Sequence, residues 1–163
     1  MMQRHPEWRV LNYGKGGSRT DRILDRVDAA LAPKPNVVIV LAGINDLYQL
    51  RKPEHAIEHL QKIYEKIAAA HVRIMVCTIM PTRTLGDIVS QRIDTVNAWI
   101  RAYAPAHELG LCDLNRLMED PKNPGEIFDN TDGVHLTVAG YRRMGETVSD
   151  CVEHWLGPVP TSR

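Results

Sequence analysis

Four short segments of this 163-residue chain hold side chains that can do chemistry. Gly14-Lys15-Gly16-Gly17-Ser18 is a glycine-rich turn, a type that lets backbone N–H groups approach a negative charge closely. Gly43-Ile44-Asn45-Asp46 sets a neutral amide donor beside a carboxylate. Asp132-Gly133-Val134-His135 places a carboxylate three residues before an imidazole, and His55-Ala56-Ile57-Glu58-His59 puts two imidazoles on one helix face. The last segment has the H-x-x-E-H spacing of some zinc metallopeptidases. Its apolar stripe, however, is that of an ordinary packing helix with a solvated outer face, and no metal is expected there. A nucleotide site fits no better. Gly14-x-Gly16 follows a strand-like run, but Arg19 stands where the third glycine of a dinucleotide fingerprint belongs, and no acidic residue ends the next strand. Lys15 is followed by Gly16 rather than the Ser or Thr of a phosphate loop.

These segments must be positioned by something, and the chain reads as alternating strands and helices. Val37 to Ala42 (VVIVLA) is a continuous β-branched run, the pattern of a strand buried on both faces. Val72 to Met80 and Leu109 to Leu114 repeat it less purely, and Arg9 to Tyr13 is a short strand candidate ahead of the glycine turn. Helical periods fall between them: Ile23, Val27, Ala30 and Leu31; Ile57, Leu60, Tyr64 and Ile67; Ile93, Val96, Ile100 and Tyr103; Tyr141, Met144, Val148, Cys151 and Trp155. Pro53 suits the start of the second helix and Thr137 the cap of the last. Such alternation predicts a parallel sheet covered by helices on both faces, with any ligand site beyond the carboxyl ends of the strands. Three of the four polar segments lie there. The last closes an aperiodic stretch of about twenty residues, Arg116 to Leu136, and long loops of that kind are usually functional.

NYGKGGS, GIND and DGVH, in that order and at strand ends, resemble three of the four sequence blocks of the SGNH (GDSL-type) hydrolases. The resemblance runs from about Arg9 to Trp155. It implies an α/β fold, a flavodoxin-like three-layer α/β/α sandwich with a mostly parallel sheet, and the activity of an esterase or lipase. It also implies roles. Asp132 would orient His135, which would act as general base and acid, with Asp129 as a fallback partner for the imidazole. Gly17, through its backbone N–H, and Asn45, through its side-chain amide, would form the hole that meets the tetrahedral oxyanion. Short acyl esters, including O-acetyl groups on sugars, are the expected substrates, and no metal or organic cofactor is expected. Leu47, Tyr48, Leu50 and the Pro81–Leu85 loop follow strand ends and are candidate pocket walls.

The fourth block of that family, a Gly-Asp-Ser nucleophile motif at the end of the first strand, has no counterpart. Only eleven residues precede Asn12, and none is serine. A strand, turn and helix would need roughly thirty. The chain therefore reads as beginning one βα unit late, with Met1, Met2 and Trp8 as the tail of a helix entering the Arg9 strand. Ser18 is a weak substitute nucleophile, because its neighbour donates to the oxyanion. Ser90, Ser149 and Ser162 are not placed for the role, and Cys77 lies inside a strand run. A water activated by His135 could support slow hydrolysis. A catalytically silent ligand-binding relative is the alternative. In the family the absent strand lies between those corresponding to Arg9–Tyr13 and Val37–Ala42, so its loss would leave about 10 Å between them. A rearranged sheet, or a homodimer that completes it, is expected.

The bulk composition agrees with one soluble domain spanning residues 1–163. Hydrophobic residues make up 44% and charged residues 25%. Twenty basic and twenty acidic side chains cancel, which removes the usual reason to invoke nucleic acid or an anionic membrane as a partner. No run is long and apolar enough to span a bilayer. Cys77, Cys112 and Cys151 are odd in number and scattered, so the sequence predicts small core residues rather than a disulfide framework. MMQRHPEWRV has no apolar core of a signal peptide, so as it stands the sequence reads as cytoplasmic.

Overall fold

The structure, a computed structural model, describes residues 5–157. Val37–Val40 (β1), Arg73–Cys77 (β2) and Gly110–Cys112 (β3) form a parallel sheet in the order β1-β2-β3. Successive side chains of a strand point to opposite faces, and β2 uses both. Ile74 and Val76 join one apolar core, with residues of the helices Pro53–Ala69 (α4) and Asp87–Ala106 (α5). Met75 and Cys77 join a second core with Cys112, Val148 and Val152, the last two on the helix Val138–Leu156 (α7). Two cores on two faces of one sheet give the α/β/α layering that the strand–helix alternation predicts.

The helices begin where the local chemistry allows. Pro53 opens α4, where its missing N–H costs nothing. The Thr137 hydroxyl accepts from Gly140 N at 3.1 Å and caps α7. The helix expected around Ile23 to Leu31 is two short pieces instead, Thr20–Leu24 (α1) and Val27–Leu31 (α2), divided at Arg26, whose φ of −110° and ψ of 2° leave the helical region. Tyr141, counted in the apolar stripe of α7, is 51% exposed, so the packed face begins at Met144.

Three expectations are corrected. Arg9–Tyr13 is not a strand; Val10, Leu11 and Tyr13 are 41%, 42% and 48% exposed and the segment pairs with nothing in the sheet. A strand needs a neighbour for its N–H and C=O groups, and none lies beside this one. Trp8 is not in a helix but closes a turn through its N–H to the His5 carbonyl, 3.0 Å; Met1 and Met2 lie outside the described residues. The Arg116–Leu136 stretch is not structureless. After the one-turn helix Leu114–Leu117 (α6) it holds an antiparallel hairpin, Glu119–Asp120 (β4) with Asn123–Ile127 (β5), which buries Met118 and Ile127 in the second core.

The cysteine expectation is overturned for two of the three. Cys112 at the end of β3 and Cys151 in α7 form a disulfide, with Cα atoms 5.5 Å apart. Cys77 is the buried free thiol, and burial pushes its pKa up to about 12, so it is unreactive at neutral pH. The bridge closes a loop of 39 residues, which by chain entropy stabilises the fold by about 4 kcal/mol, and typical measured values are about 2–4. Full reduction should therefore lower the melting temperature by roughly 5–15 °C. Calorimetry with and without a trialkylphosphine checks this, and an unchanged transition would show that the bridge contributes nothing.

Candidate active site

The glycine turn and the Asn45 loop are joined by buried polar bonds. Ala42 leads from β1 into Gly43, whose φ of +118° is open to glycine and whose missing Cβ leaves room for the Ile79 side chain. The short helix Ile44–Tyr48 (α3) follows. Asn45 Nδ2 donates to the Ser18 carbonyl at 3.1 Å. A primary amide carries two N–H donors, so one remains for a substrate. Asp46, fully buried, accepts from Thr20 N at 2.9 Å and from Thr20 Oγ1 at 2.8 Å. The Thr20–Asp46 clamp thus fixes the Gly17–Ser18 backbone against the Asn45 amide. Gly17 has a φ of +73°, and among the described residues nothing accepts from its N–H. Thr20 does not stand out in the sequence, and Asp46, noted there beside Asn45, carries no sign of its partner, since an Asp after Asn at a strand end is usually a turn former.

The imidazole–carboxylate pair sits on the loop before α7. His135 Nδ1 lies 2.8 Å from Asp132 Oδ2, while Asp132 Oδ1 accepts from the backbone N–H of His135 (2.8 Å) and of Val134 (3.0 Å). One carboxylate therefore holds both the ring and the loop that carries it, leaving Nε2 directed away from the carboxylate. Asp132, not Asp129, is the partner of the ring; Asp129 supplies a backbone carbonyl to Thr137 N at 2.9 Å. The His135 backbone N–H, then its imidazole, then the Val134 N–H hold the Asp132 carboxyl down at about 2, below its ordinary 3.8. Because the folded value is the lower one, the stabilisation of this loop is present above about pH 4 and is lost as pH falls toward 2. The His135 amide resonance should shift across that window with a midpoint near 2, and Asp132→Asn should abolish the step. A midpoint near 4 in the wild type would mean the carboxylate is not held.

A cavity of about 90 Å³ links the two loops. Ile44, which precedes Asn45, and Val134, which precedes His135, both line it, together with Ile79, Met80, Thr82 and Ile127. Its walls come from the ends of β1 and β2 and from the hairpin. The other residues proposed as walls fall elsewhere. Leu47 is fully buried in the first core and supports α3 from beneath, because the helix turns its side chain inward. Tyr48 and Leu50 point outward, 60% and 64% exposed, and Pro81 is buried beside Thr82 without lining the cavity. Of the Pro81–Leu85 loop, Thr82 is the residue that does.

The Ser18 hydroxyl accepts from the Arg26 guanidinium at 3.0 Å, and among the described residues no hydrogen bond joins it to His135. Ser90 Oγ donates to the Thr82 carbonyl at 2.8 Å, Ser149 Oγ to the Gly145 carbonyl at 2.9 Å, and Ser162 lies outside the described residues. On α4, Glu58 pairs with Lys62 at 2.6 Å and His59 Nδ1 lies 2.7 Å from the His55 carbonyl. The H-x-x-E-H spacing there serves the helix surface. Among the described residues no three His, Cys, Asp or Glu side chains gather as metal ligands would.

The Asn45 loop follows β1 at the carboxyl end of the parallel sheet, and the Asp132–His135 pair lies on the loop before α7. The chain belongs to the GDSL-like lipase/acylhydrolase family, whose pattern matches residues 1–143. It is similar to a member of the lipolytic G-D-S-L family from Veillonella parvula DSM 2008, with a TM-score of 0.80 at 19% identity over 91% of this chain and 82% of that one. It is also similar to the acetyl xylan esterase AlAXEase, with a TM-score of 0.77 at 20% identity over 90% and 82%. In sequence, 126 residues are 25% identical to an N-acylneuraminate cytidylyltransferase of Streptococcus agalactiae serotype V (strain ATCC BAA-611 / 2603 V/R), covering 77% of this chain and 30% of that protein. The chain thus matches under a third of the length of those curated relatives. No helix among the described residues is long and apolar enough to cross a membrane.

Proposed function

We propose that the site hydrolyses short acyl esters, O-acetyl groups on sugars among them, using His135 as base and Gly17 with Asn45 as the oxyanion hole. The observation that carries this is the Asp132-held imidazole on a loop that shares a small cavity with the Asn45 loop. The likeness to an acetyl xylan esterase supports the short acyl group, and so does the modest cavity. Among the described residues no serine hydroxyl bonds to His135, so the attacking group in this proposal is water. His135 Nε2 takes a proton from water as its oxygen bonds to the carbonyl carbon, and the carbonyl electron pair moves onto oxygen. That oxyanion accepts from Gly17 N–H and the second Asn45 N–H. On collapse the C–O bond to the alcohol breaks and His135 returns its proton to the leaving oxygen. Rates against p-nitrophenyl acetate, butyrate and octanoate test the reading. Acetate should be fastest; a preference for octanoate would overturn the short-acyl assignment.

The open edge of β1 completes the proposal. Ile39 and Leu41 are 38% and 41% exposed, and the same chain carries the exposed apolar segment Val10–Tyr13, which joins no sheet. Each copy therefore holds both a vacant strand edge and an apolar segment able to fill one, so two copies can complete each other's sheets symmetrically. Light scattering should give a dimer, shifted to monomer by Leu11→Lys with Leu41→Lys. A monomer at all concentrations would refute the pairing.

A further inference from the structure

Asp132 and His135 are exposed, yet the chain between them is anchored from beneath. Gly133 is buried, its φ of +81° is open to glycine, and the Thr84 side chain fills the space where a Cβ would stand. A buried backbone N–H needs a partner. That of Gly133 donates to Asn130 Oδ1 at 2.6 Å, and Asn130 Nδ2 donates in turn to the Ile127 carbonyl at 2.7 Å. Ile127 ends β5 and is buried in the second core. Above this tie, the N–H and hydroxyl of Thr131 donate to the His135 carbonyl at 2.8 and 3.0 Å, which closes the loop on itself. The bonds from Thr131 to His135 shape the loop, and the Asn130 amide joins it to the core.

We infer that Asn130 is a positioning residue for the Asp132–His135 pair, its side-chain amide fastening the Gly133 backbone, and with it the exposed residues on either side, to the buried end of β5. The Asp132 carboxylate meets the N–H groups of Val134 and His135 because the chain turns back at Gly133. Asn130 holds that turn and, among the described residues, bonds to neither the imidazole nor the carboxylate. Its neutral amide accepts from one backbone group and donates to another, which an ionised carboxylate or an alkyl side chain cannot do. The effect on rate rests on the esterase reading of the site; the hold on the pair does not.

Asn130→Ala and Asn130→Asp test the assignment through kcat and KM for p-nitrophenyl acetate, and the alanine variant also through the acid titration of the His135 amide resonance. Alanine breaks both bonds. A base moved by about 1 Å costs up to roughly a hundredfold, so kcat should fall roughly ten- to a hundredfold. KM should stay within about twofold, since ground-state binding is untouched. The titration midpoint should rise from about 2 toward the ordinary 3.8 of the carboxyl, because the N–H groups that hold it down are no longer fixed. Asn130→Asp still accepts from the Gly133 N–H but cannot donate to Ile127, so its kcat should fall between alanine and wild type. It keeps the test open should the alanine variant fail to fold. A lowered melting temperature with the midpoint still near 2 would make Asn130 a structural tie alone and overturn the inference. So would a kcat within about threefold of wild type in either folded variant while His135→Ala is inactive. A raised midpoint in Asn130→Ala, with His135→Ala as active as wild type, would instead uphold the hold on the pair and remove the esterase reading.

Discussion

His135→Ala should lower hydrolysis of p-nitrophenyl acetate by about 10²–10⁴-fold, the usual worth of a positioned general base, while leaving the melting temperature unchanged. The imidazole is 68% exposed and bonds only to Asp132 among side chains, so its removal opens no core. The loop keeps its shape through the backbone N–H groups of Val134 and His135, which still donate to Asp132. Asn45→Ala should cost about 10²–10³-fold, as loss of one oxyanion donor does, with some loosening at Ser18. Activity of His135→Ala within threefold of wild type would remove the imidazole from the mechanism.

Among substitutions, the largest structural effect should come from Asp46→Ala. Its carboxylate is the acceptor for both the N–H and the hydroxyl of Thr20, and both residues are essentially inaccessible to water. Alanine leaves two buried donors unpaired, at about 2–4 kcal/mol in total, and should lower the melting temperature by roughly 5–15 °C. Because the clamp also sets Gly17 against Asn45, activity should fall well before the protein unfolds. Asp46→Asn keeps one acceptor oxygen and should fall between. A variant Asp46→Ala that melts with wild type would show that Thr20 finds other partners and that the clamp does not position the hole.

The parts of this molecule written in local pattern are those the structure returns. The β-branched run at Val37 and the apolar run after Val72 are strands, and Asp132-x-x-His135 is a bonded pair because three residues before a capped helix fix its geometry. What the pattern hides is what depends on neighbours. Arg9–Tyr13 has a strand's composition, but pairing belongs to two segments, and here the second is not beside it. The hairpin at Asn123–Ile127 is masked by Pro124 and Gly125, which break its alternation. Cys112 and Cys151 are 39 residues apart, and their meeting depends on how α7 lies over β3. Of the candidate site, the resemblance of the blocks singles out Asp132, His135, Gly17 and Asn45, and the structure adds the bond between Asp132 and His135 and that from Asn45 to the Ser18 carbonyl. The bonds from Thr20 to Asp46 are not legible, since a buried threonine is common and only its partners show what it does.

The central claim is that these residues hold a base and an oxyanion hole that act on water rather than on a serine of this chain. Intact-mass analysis after treatment with a fluorophosphonate, beside His135→Ala and followed by peptide mapping, tests it most directly. The account predicts no adduct on folded protein whose hydrolysis of p-nitrophenyl acetate depends on His135. A single adduct on wild type, absent from His135→Ala and mapping to Ser18 or another serine, would contradict it and name the nucleophile.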